Sequence, residues 1–178
     1  AKAEQLMHEN LQLSHQLGND RLTAYILYDL GRLALATNRI EQAKEHLQKS
    51  INLLGKFGES HEMAMFHLYL GKCFAAHTDL HAARDQFWQM IKIGQALDMV
   101  YLVYWGLVNI ARTYLEEGQT GKALEISLTL RHCPVEHKRV QEDGDRLLAD
   151  LQAALPQDQV EAAMKRVDDS ISPDPAGV

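Results

Sequence analysis

The sequence matches itself at a shift of 40 residues, and this periodicity limits the fold more than any other feature of the chain. The recurring positions include Ala3/Ala43/Ala83/Ala123, Leu30/Leu70/Ile110, Gly31/Gly71/Ala111, Ala34/Phe74/Tyr114 and Met7/Leu47/Phe87, after which Ser127 is a polar exception. The register needs no gap over more than 120 residues. We therefore expect a stack of repeated structural units, in which the apolar residues are buried between neighbours.

Each unit carries the pattern of two helices. From Asp20, which we predict to be an N-cap, apolar and small residues follow a spacing of three and four as far as Ala34. Asn38 can adopt the left-handed conformation that ends a helix, and a second helical face precedes Gly58. Small residues recur at positions 31, 43, 71, 83, 111 and 123. A larger side chain there would push two helices apart, so we expect their backbones to approach closely at these positions.

The composition argues against several classes of protein. The formal net charge is −6 and the isoelectric point is near 5.8, which argues against nucleic acid as the main partner. The longest apolar run is far short of the roughly 20 residues that span a membrane, and the start of the sequence lacks a signal-peptide pattern. Two cysteines, Cys73 and Cys133, cannot form a disulfide framework. These features predict free thiols and a cytoplasmic location.

The sequence lacks the motifs of an enzyme. Its three Gly-Lys pairs have neither the preceding glycine nor the following Ser or Thr of a phosphate-binding loop. His77 and His81 have a metal-ligand spacing, but they straddle a predicted turn, which favours solvated histidines over a metal site. Neither Cys73 nor Cys133 has a partner in a catalytic motif. His67 occupies a position that is otherwise apolar, so we predict that it is partly buried and hydrogen-bonded. We predict a non-enzymatic protein without a cofactor or a metal.

The two-helix pattern resembles the tetratricopeptide repeat (TPR). The matching series are Leu27/His67/Leu107, Leu30/Leu70/Ile110, Gly31/Gly71/Ala111, Ala34/Phe74/Tyr114, Ala43/Ala83/Ala123, Leu47/Phe87/Ser127 and Ser50/Met90/Leu130. The usual period is about 34 residues. The longer period, with "LGND" and "FGES" between units, resembles the sensor region of bacterial STAND-type ATPases and of LuxR, SARP and maltose-regulon activators. The resemblance covers residues 1–132 and implies an all-α fold, a right-handed superhelix of stacked antiparallel helix hairpins.

The repeat register predicts the organisation of the chain. We predict a half repeat over 1–17, repeats over 20–57, 60–97 and 100–132, capping helices over 134–169 and a disordered tail over 170–178. Pro134 and Pro156 are expected to begin the two capping helices. The half repeat lacks its partner helix, which predicts that the chain is a fragment of a longer protein.

Stacked hairpins of this type place their first helices on a concave face, and nine residues are predicted to face that groove. They are Tyr25, Tyr28, Arg32, Met65, Tyr69, Lys72, Trp105, Asn109 and Arg112. Arg32, Lys72 and Arg112 occupy one repeat position, and a ladder of cations beside aromatic rings is typical of surfaces that bind carboxylates or extended peptides. The alternative is that these cations only solvate an exposed helix face and pair with Asp29 or Glu116.

These observations favour a protein-interaction or sensor module within a larger bacterial regulator. Its expected partner is a protein or peptide, an acidic one included, or another domain of the parent protein. The carboxylate clamp of some tetratricopeptide proteins is not expected, because Tyr28 and Arg32 stand where that clamp has Lys and Asn. One alternative is a receptor for an oligosaccharide-like inducer, in which Trp105 and Tyr101 or Tyr104 stack on a sugar. Another is a scaffold that forms a homodimer through residues 1–17. We expect neither a nucleic-acid nor a membrane partner.

Overall fold

The computed structural model of the chain describes residues 2–133 and 135–171, and all regular structure in these ranges is helical. The helices are α1 (Lys2–Gln16), α2 (Asp20–Ala36), α3 (Ile40–Leu54), α4 (His61–Ala76), α5 (Leu80–Ala96), α6 (Val100–Glu116), α7 (Thr120–Arg131), α8 (Lys138–Ala154) and α9 (Gln157–Ile171). The predicted all-α fold is confirmed. Within the described part of the chain, no helix is both long and apolar enough to cross a bilayer.

The chain divides into two compact units, Ala1–Met99 and Val100–Val178, which we call the first and the second unit. In the first unit, α2 pairs with α3 and α4 pairs with α5, while α1 packs on α2 and α3 packs on α4. In the second unit, α6 pairs with α7, and both α8 and α9 pack against α7. Each of the pairs α2–α3, α4–α5 and α6–α7 falls within one 40-residue period of the sequence.

The helices end at residues with positive φ that recur every 20 residues, twice in each repeat. These residues are Gly18, Asn38, Gly58, Thr78, Asp98 and Gly118. At five of them the next residue donates its N–H to a carbonyl five positions earlier, as in the bonds of 2.8 Å from Arg39 to Ala34 and from Met99 to Gly94. This bond satisfies a carbonyl that the helix end would otherwise leave unpaired. The prediction that Asn38 ends a helix is confirmed. The prediction for Gly58 is displaced, because α3 ends at Leu54 and a short 3-10 turn, Gly55–Phe57, precedes Gly58.

Polar side chains begin several helices by accepting a hydrogen bond from the first turn. Asn19 accepts from the N–H of Leu22 at 3.0 Å and Asp79 from that of Ala82 at 3.1 Å. The prediction that Asp20 is the N-cap of α2 is wrong by one residue, because Asn19 takes that role. The carboxylate of Asp20 instead binds the ammonium group of Lys56 at 2.6 Å.

The C-terminal boundaries also differ from the prediction. Helix α8 begins at Lys138 and so starts later than predicted, while Pro134 lies outside the described residues. Helix α9 begins directly after Pro156, as predicted, and continues through Ser170 to Ile171. The predicted tail therefore starts too early, and its remainder, 172–178, lies outside the described residues.

The small residues of the repeat mark close contacts between the paired helices. A Cβ atom on Gly31 would lie 2.6 Å from Cγ of Leu47, and one on Gly71 would lie 2.5 Å from Cε1 of Phe87. The third repeat has Ala111 and Ser127 at the corresponding positions, both buried. Ala111 is larger than the glycine of the first two repeats, and Ser127 is smaller than Leu47 or Phe87. The small serine thus leaves room for the methyl group of the alanine, which accounts for the polar exception in the repeat.

Helices α8 and α9 continue the 40-residue register, a feature that the sequence analysis missed. Ala163 follows Ala123, and Val167 follows Ser127; both Ala163 and Val167 are buried. Leu151, however, stands where the other repeats have glycine or alanine. A leucine at that position opposes close approach of two helices, in keeping with the separate packing of α8 and α9 on α7.

The left-handed conformation of Thr78 makes this position sensitive to substitution. Its φ is 61°, which is unfavourable for a β-branched residue, and glycine stands at the corresponding turns of Gly18, Gly58 and Gly118. We expect Thr78→Gly to raise the free energy of unfolding by roughly 0.5–1 kcal/mol in urea denaturation. The control is Thr37→Gly, which should be destabilising because Thr37 has a negative φ and its hydroxyl donates to Leu33 at 2.8 Å. Loss of stability in both variants would contradict the prediction.

Candidate partner-binding surface on helices α2 and α4

Aromatic and basic side chains of α2 and α4 form one cluster in the first unit. We call this set the basic–aromatic cluster, and it comprises Tyr25, Tyr28, Arg32, Phe66, Tyr69 and Lys72. Tyr28 and Arg32 lie one helical turn apart on α2, as Tyr69 and Lys72 do on α4, so each pair shares a helix face. Packing of α2 against α4 then brings the two faces together.

The rings of the cluster are fixed by packing on Phe66. Tyr28 stacks on Phe66 with ring centroids 4.3 Å apart and an interplanar angle of 19°. Tyr69 meets Tyr28 edge to face at 5.5 Å, and Tyr25 meets Phe66 in the same way at 6.1 Å. Phe66 is 1% exposed and serves as the buried anchor. Phe66 could not be predicted from the repeat, because the same position carries Ile26 and Gly106 in the other repeats and shows no aromatic pattern.

The cations lie over the faces of the tyrosine rings. The guanidinium carbon of Arg32 is 5.3 Å from the ring centroid of Tyr28 and 5.0 Å from that of Tyr69. The ammonium nitrogen of Lys72 is 5.4 Å from the same Tyr69 ring. These distances are within the range of cation–π attraction. Burial raises the pKa of Tyr28, so its ring stays neutral at physiological pH.

Arg32 keeps much of its side chain accessible to a partner. Its side chain is 46% exposed, and its carboxylate neighbour Asp29 lies at 3.5 Å, a long distance for a charge-assisted bond. Such an exposed pair contributes little to stability, so an incoming carboxylate can replace Asp29 at little cost. The cluster therefore offers a positioned cation between two aromatic rings.

The structure brings five of the nine predicted groove residues into this cluster. Those five are Tyr25, Tyr28, Arg32, Tyr69 and Lys72. Met65 lies on the same helix, α4, and is half-buried. The other three predicted residues, Trp105, Asn109 and Arg112, belong to α6 in the second unit.

The residues of α6 are already engaged within the second unit. Arg112 makes two hydrogen bonds to Asp143 of α8, at 2.7 and 3.2 Å, and thus pairs with neither of the acidic residues considered from the sequence. Asn109 is 4% exposed and donates to the carbonyl of Trp105 at 2.7 Å. The prediction that Asn109 faces a groove is therefore wrong, because its amide is buried against its own helix.

Two of the aromatic residues proposed for sugar stacking, Tyr101 and Tyr104, are engaged within the second unit. Tyr104 is 2% exposed and lies against Gly144 of α8. The ring of Tyr101 stacks on His137 with centroids 5.1 Å apart. Tyr104 therefore cannot stack on a sugar, since its ring belongs to the core of the second unit.

The other candidate chemical groups have structural surroundings. His77 lies 3.5 Å from Glu41, whereas His81 lies 3.4 Å from Asp85, so the two histidines face different carboxylates. Across residues 2–133 and 135–171, no three His, Cys, Asp or Glu residues converge as metal ligands would. Burial raises the pKa of the Cys73 thiol to about 12, which keeps it protonated and unreactive.

His67 behaves as the sequence predicted. Its Nδ1 lies 2.9 Å from Oε1 of Gln86, and the side chain is half-buried. Burial lowers its pKa more than this hydrogen bond raises it, so the imidazole is neutral at pH 7. His67 is thus a hydrogen-bonded core residue of the second repeat.

Comparison with known proteins identifies the fold. No protein-family model matches the chain, and no curated protein matches it significantly. One similar solved structure is that of a Podospora anserina protein described as a kinesin light chain with nearly identical TPR-like repeats. The similarity covers 97% of this chain and 88% of that protein, at 15% sequence identity and a TM-score of 0.69. A single-substitution variant of that protein is similar over 94% and 84%, at 16% identity and the same TM-score. This chain has a TPR-like helical-repeat fold. The all-α helical-repeat fold implied by the sequence resemblance is thereby confirmed.

Proposed function

We propose that this chain is a non-enzymatic interaction module that binds an acidic segment of a peptide or protein through the basic–aromatic cluster. The observation that carries the proposal is the position of Arg32, whose half-exposed guanidinium lies over Tyr28 and Tyr69. Its side chain is 46% exposed, and its contact with Asp29 is long, so a partner can reach N–H donors beside the two rings. This is the arrangement in which an arginine binds a carboxylate through two parallel hydrogen bonds.

The rings reduce the entropy that binding would cost. An exposed arginine loses side-chain freedom when it binds, but contacts with Tyr28 and Tyr69 already limit the conformations of Arg32. Phe66 in turn holds the ring of Tyr28. We infer that the favoured partner has a carboxylate for Arg32 and Lys72, next to an apolar or aromatic side chain that covers the exposed ring edges.

The identity of the partner protein is a separate hypothesis. The sequence resemblance to sensor regions of bacterial STAND, LuxR and SARP regulators suggests that the partner is a signalling protein or another domain of such a regulator. In that role the module transmits binding to a switch elsewhere in the regulator, and it needs no cofactor of its own.

Substitution of Arg32 tests the proposed function. The probe is an array of peptides rich in Asp and Glu with interspersed Phe, Tyr or Trp, together with their Asn and Gln counterparts. We expect acidic peptides to bind the whole chain, and Arg32→Glu to weaken the tightest of them by at least about tenfold, which is about 1.4 kcal/mol. Lys92→Glu is the matched control, because Lys92 is an exposed cation on α5 of the same unit.

Two outcomes would argue against this function. If the amide counterparts bind as tightly as the acidic peptides, then recognition does not depend on the carboxylate. If Lys92→Glu weakens binding as much as Arg32→Glu, then only net charge matters and the cluster has no special role.

Exposed leucines at α1 support self-association as a second candidate role. Leu6 is 50%, Leu13 55% and Leu17 76% exposed in the first unit. Leu6 and Leu13 share one side of α1, and Leu17, the residue after its end, continues the same spacing. A size in solution that rises with concentration, and that Leu13→Glu returns to the monomer value, would support this role, and a concentration-independent monomer would exclude it.

A further inference from the structure

Polar contacts add to the packing that attaches helix α1 to the rest of the first unit. The hydroxyl of Thr23 on α2 donates to that of Ser14 on α1 at 2.9 Å, and this bond is buried. Arg39, which precedes α3, binds Glu4 of α1 at 2.5 Å. The Arg39–Glu4 pair joins residues 35 positions apart. From Arg39, a series of side-chain hydrogen bonds continues along α3.

Arg39 fixes the orientation of the neighbouring amide of Gln42. The guanidinium nitrogen that binds Glu4 also donates to Oε1 of Gln42 at 3.1 Å. With its oxygen directed at Arg39, the amide presents its nitrogen to Nε2 of His46 at 3.4 Å. Since an amide nitrogen only donates hydrogen bonds, Nε2 of His46 must be the acceptor.

This chain of bonds determines the tautomer of His46. An imidazole whose Nε2 accepts carries its proton on Nδ1, and the ring is neutral. Nδ1 of His46 is buried and has no hydrogen-bond partner among the described residues. In the second repeat the corresponding residue, Gln86, is paired with His67, and the third repeat has Ile126 there. His46 thus brings to the first repeat a titratable group that the other two lack at this position.

The surroundings of His46 oppose a positive charge on its ring. Arg39 and Lys49 from its own segment and His8 from α1 act on it with positive charge, and Glu45 supplies the negative charge. Glu45 is already bound to Lys49 at 2.6 Å. His15 of α1 and the apolar Leu27 of α2 line the same groove as His46.

We propose that α1 is an acid-releasable helix, held by the chain Glu4–Arg39–Gln42–His46 and freed when His46 gains a proton. A proton on Nε2 of His46 would face the amide N–H of Gln42, so two donors would oppose each other. Gln42 can accept from His46 only by turning its amide, and it would then present a donor to Arg39. Either adjustment breaks a link between His46 and Arg39 and removes one restraint on the guanidinium that binds Glu4, while Arg39 keeps its bond to Thr37 at 2.9 Å. Release of α1 would bare the side of α2 that carries Thr23.

The sign of the pH effect follows from the burial of His46. Burial holds the pKa of His46 below its usual value of about 6.5, so the docked state binds the proton more weakly than the released state. Docking is at full strength above about pH 6.5 and weakens as the pH falls towards the lower pKa of the docked state. The hydrogen bond from Arg39 lowers the pKa of Glu4, so its contribution is lost only in a more acidic range, below about pH 4.5.

Hydrogen exchange of the whole chain at pH 7.5 and 5.5 tests this proposal. After correction for the intrinsic pH dependence of exchange, we expect protection of α1 to fall at pH 5.5 while that of α4 and α5 is kept. The opening equilibrium should rise by up to about tenfold, because pH 5.5 lies about one pH unit below the usual pKa of a free imidazole. His46→Gln and His46→Leu should both abolish the acid response, because each removes the imidazole. Agreement between a polar and an apolar replacement would show that the loss does not come from a packing defect of one variant.

Substitution of the other nearby imidazoles provides the matched control. His15→Gln should leave the acid response in place and His8→Gln should only reduce its size, since neither residue belongs to the chain of bonds that ends on Glu4, although His8 opposes the charge of His46. The proposal is overturned if wild-type α1 is equally protected at both pH values, or if the His46 variants keep the response. It is also overturned if α1 is unprotected at pH 7.5.

Discussion

Replacing Phe87 with alanine is expected to lower the free energy of unfolding by about 3–5 kcal/mol. Phe87 is 2% exposed, and its ring fills the space that Gly71 leaves on the facing helix. Truncation removes the apolar contacts and leaves a cavity between α4 and α5, which those helices can only partly close. Urea denaturation of the whole chain, followed by circular dichroism, measures the change.

The residue next to Phe87 provides the control. Trp88 is the larger aromatic residue, but it is 46% exposed. We expect Trp88→Ala to change the free energy of unfolding by less than about 1 kcal/mol. Equal losses for both variants would show that the structure assigns the buried face of α5 incorrectly.

The second large effect is expected for Gly71→Ala. A new Cβ atom would lie 2.5, 2.8 and 2.9 Å from three atoms of the Phe87 ring, closer than carbon atoms pack in proteins. Alanine favours a helix over glycine by about 1 kcal/mol, but displacement of a buried ring outweighs this gain. We therefore expect a net loss of about 1–3 kcal/mol in the free energy of unfolding.

The same substitution elsewhere in the chain should not be destabilising. Gly121 lies in α7, and an added Cβ atom there meets nothing within 4 Å. Gly121→Ala should raise the free energy of unfolding by up to about 1 kcal/mol, less if its place in the first helical turn weakens the gain. Combining Gly71→Ala with Phe87→Leu should cost less than the sum of the two single changes, because the smaller side chain makes room for the Cβ atom. Additive losses, or a stabilised Gly71→Ala variant, would contradict this account of the repeat.

Local patterns in the sequence were sufficient to predict the helices and most of their ends. Residues three and four positions apart share a helix face, so the periodicity located the helix pairs without knowledge of their neighbours. The positive φ of Asn38 and Gly58 was predictable because only a few residue types tolerate it. The misplaced starts of α2 and α8 are of the kind that local patterns define least well, since adjacent residues compete for the N-cap.

The repeat also predicted which positions pack closely, but not how each pair would be filled. Gly71 with Phe87 is one solution, and Ala111 with Ser127 is another, with the bulk shared differently between the two helices. The sequence pattern made Ser127 look like an exception. The structure shows it to be a buried residue whose hydroxyl donates to the carbonyl of Ala123 at 2.9 Å.

By itself the sequence determined that this protein is a stack of paired helices, and it named most of the residues of the basic–aromatic cluster. Only the tertiary structure decided what each charge contacts. Arg112 binds Asp143, 31 residues away, whereas its repeat equivalent Arg32 lies over two tyrosine rings. The Arg39–Glu4 pair at the head of the chain of bonds to His46 likewise joins remote positions. Helix formation depends on neighbours within one turn, which a sequence displays directly. Pairing of side chains depends on the distances between helices, which packing alone sets.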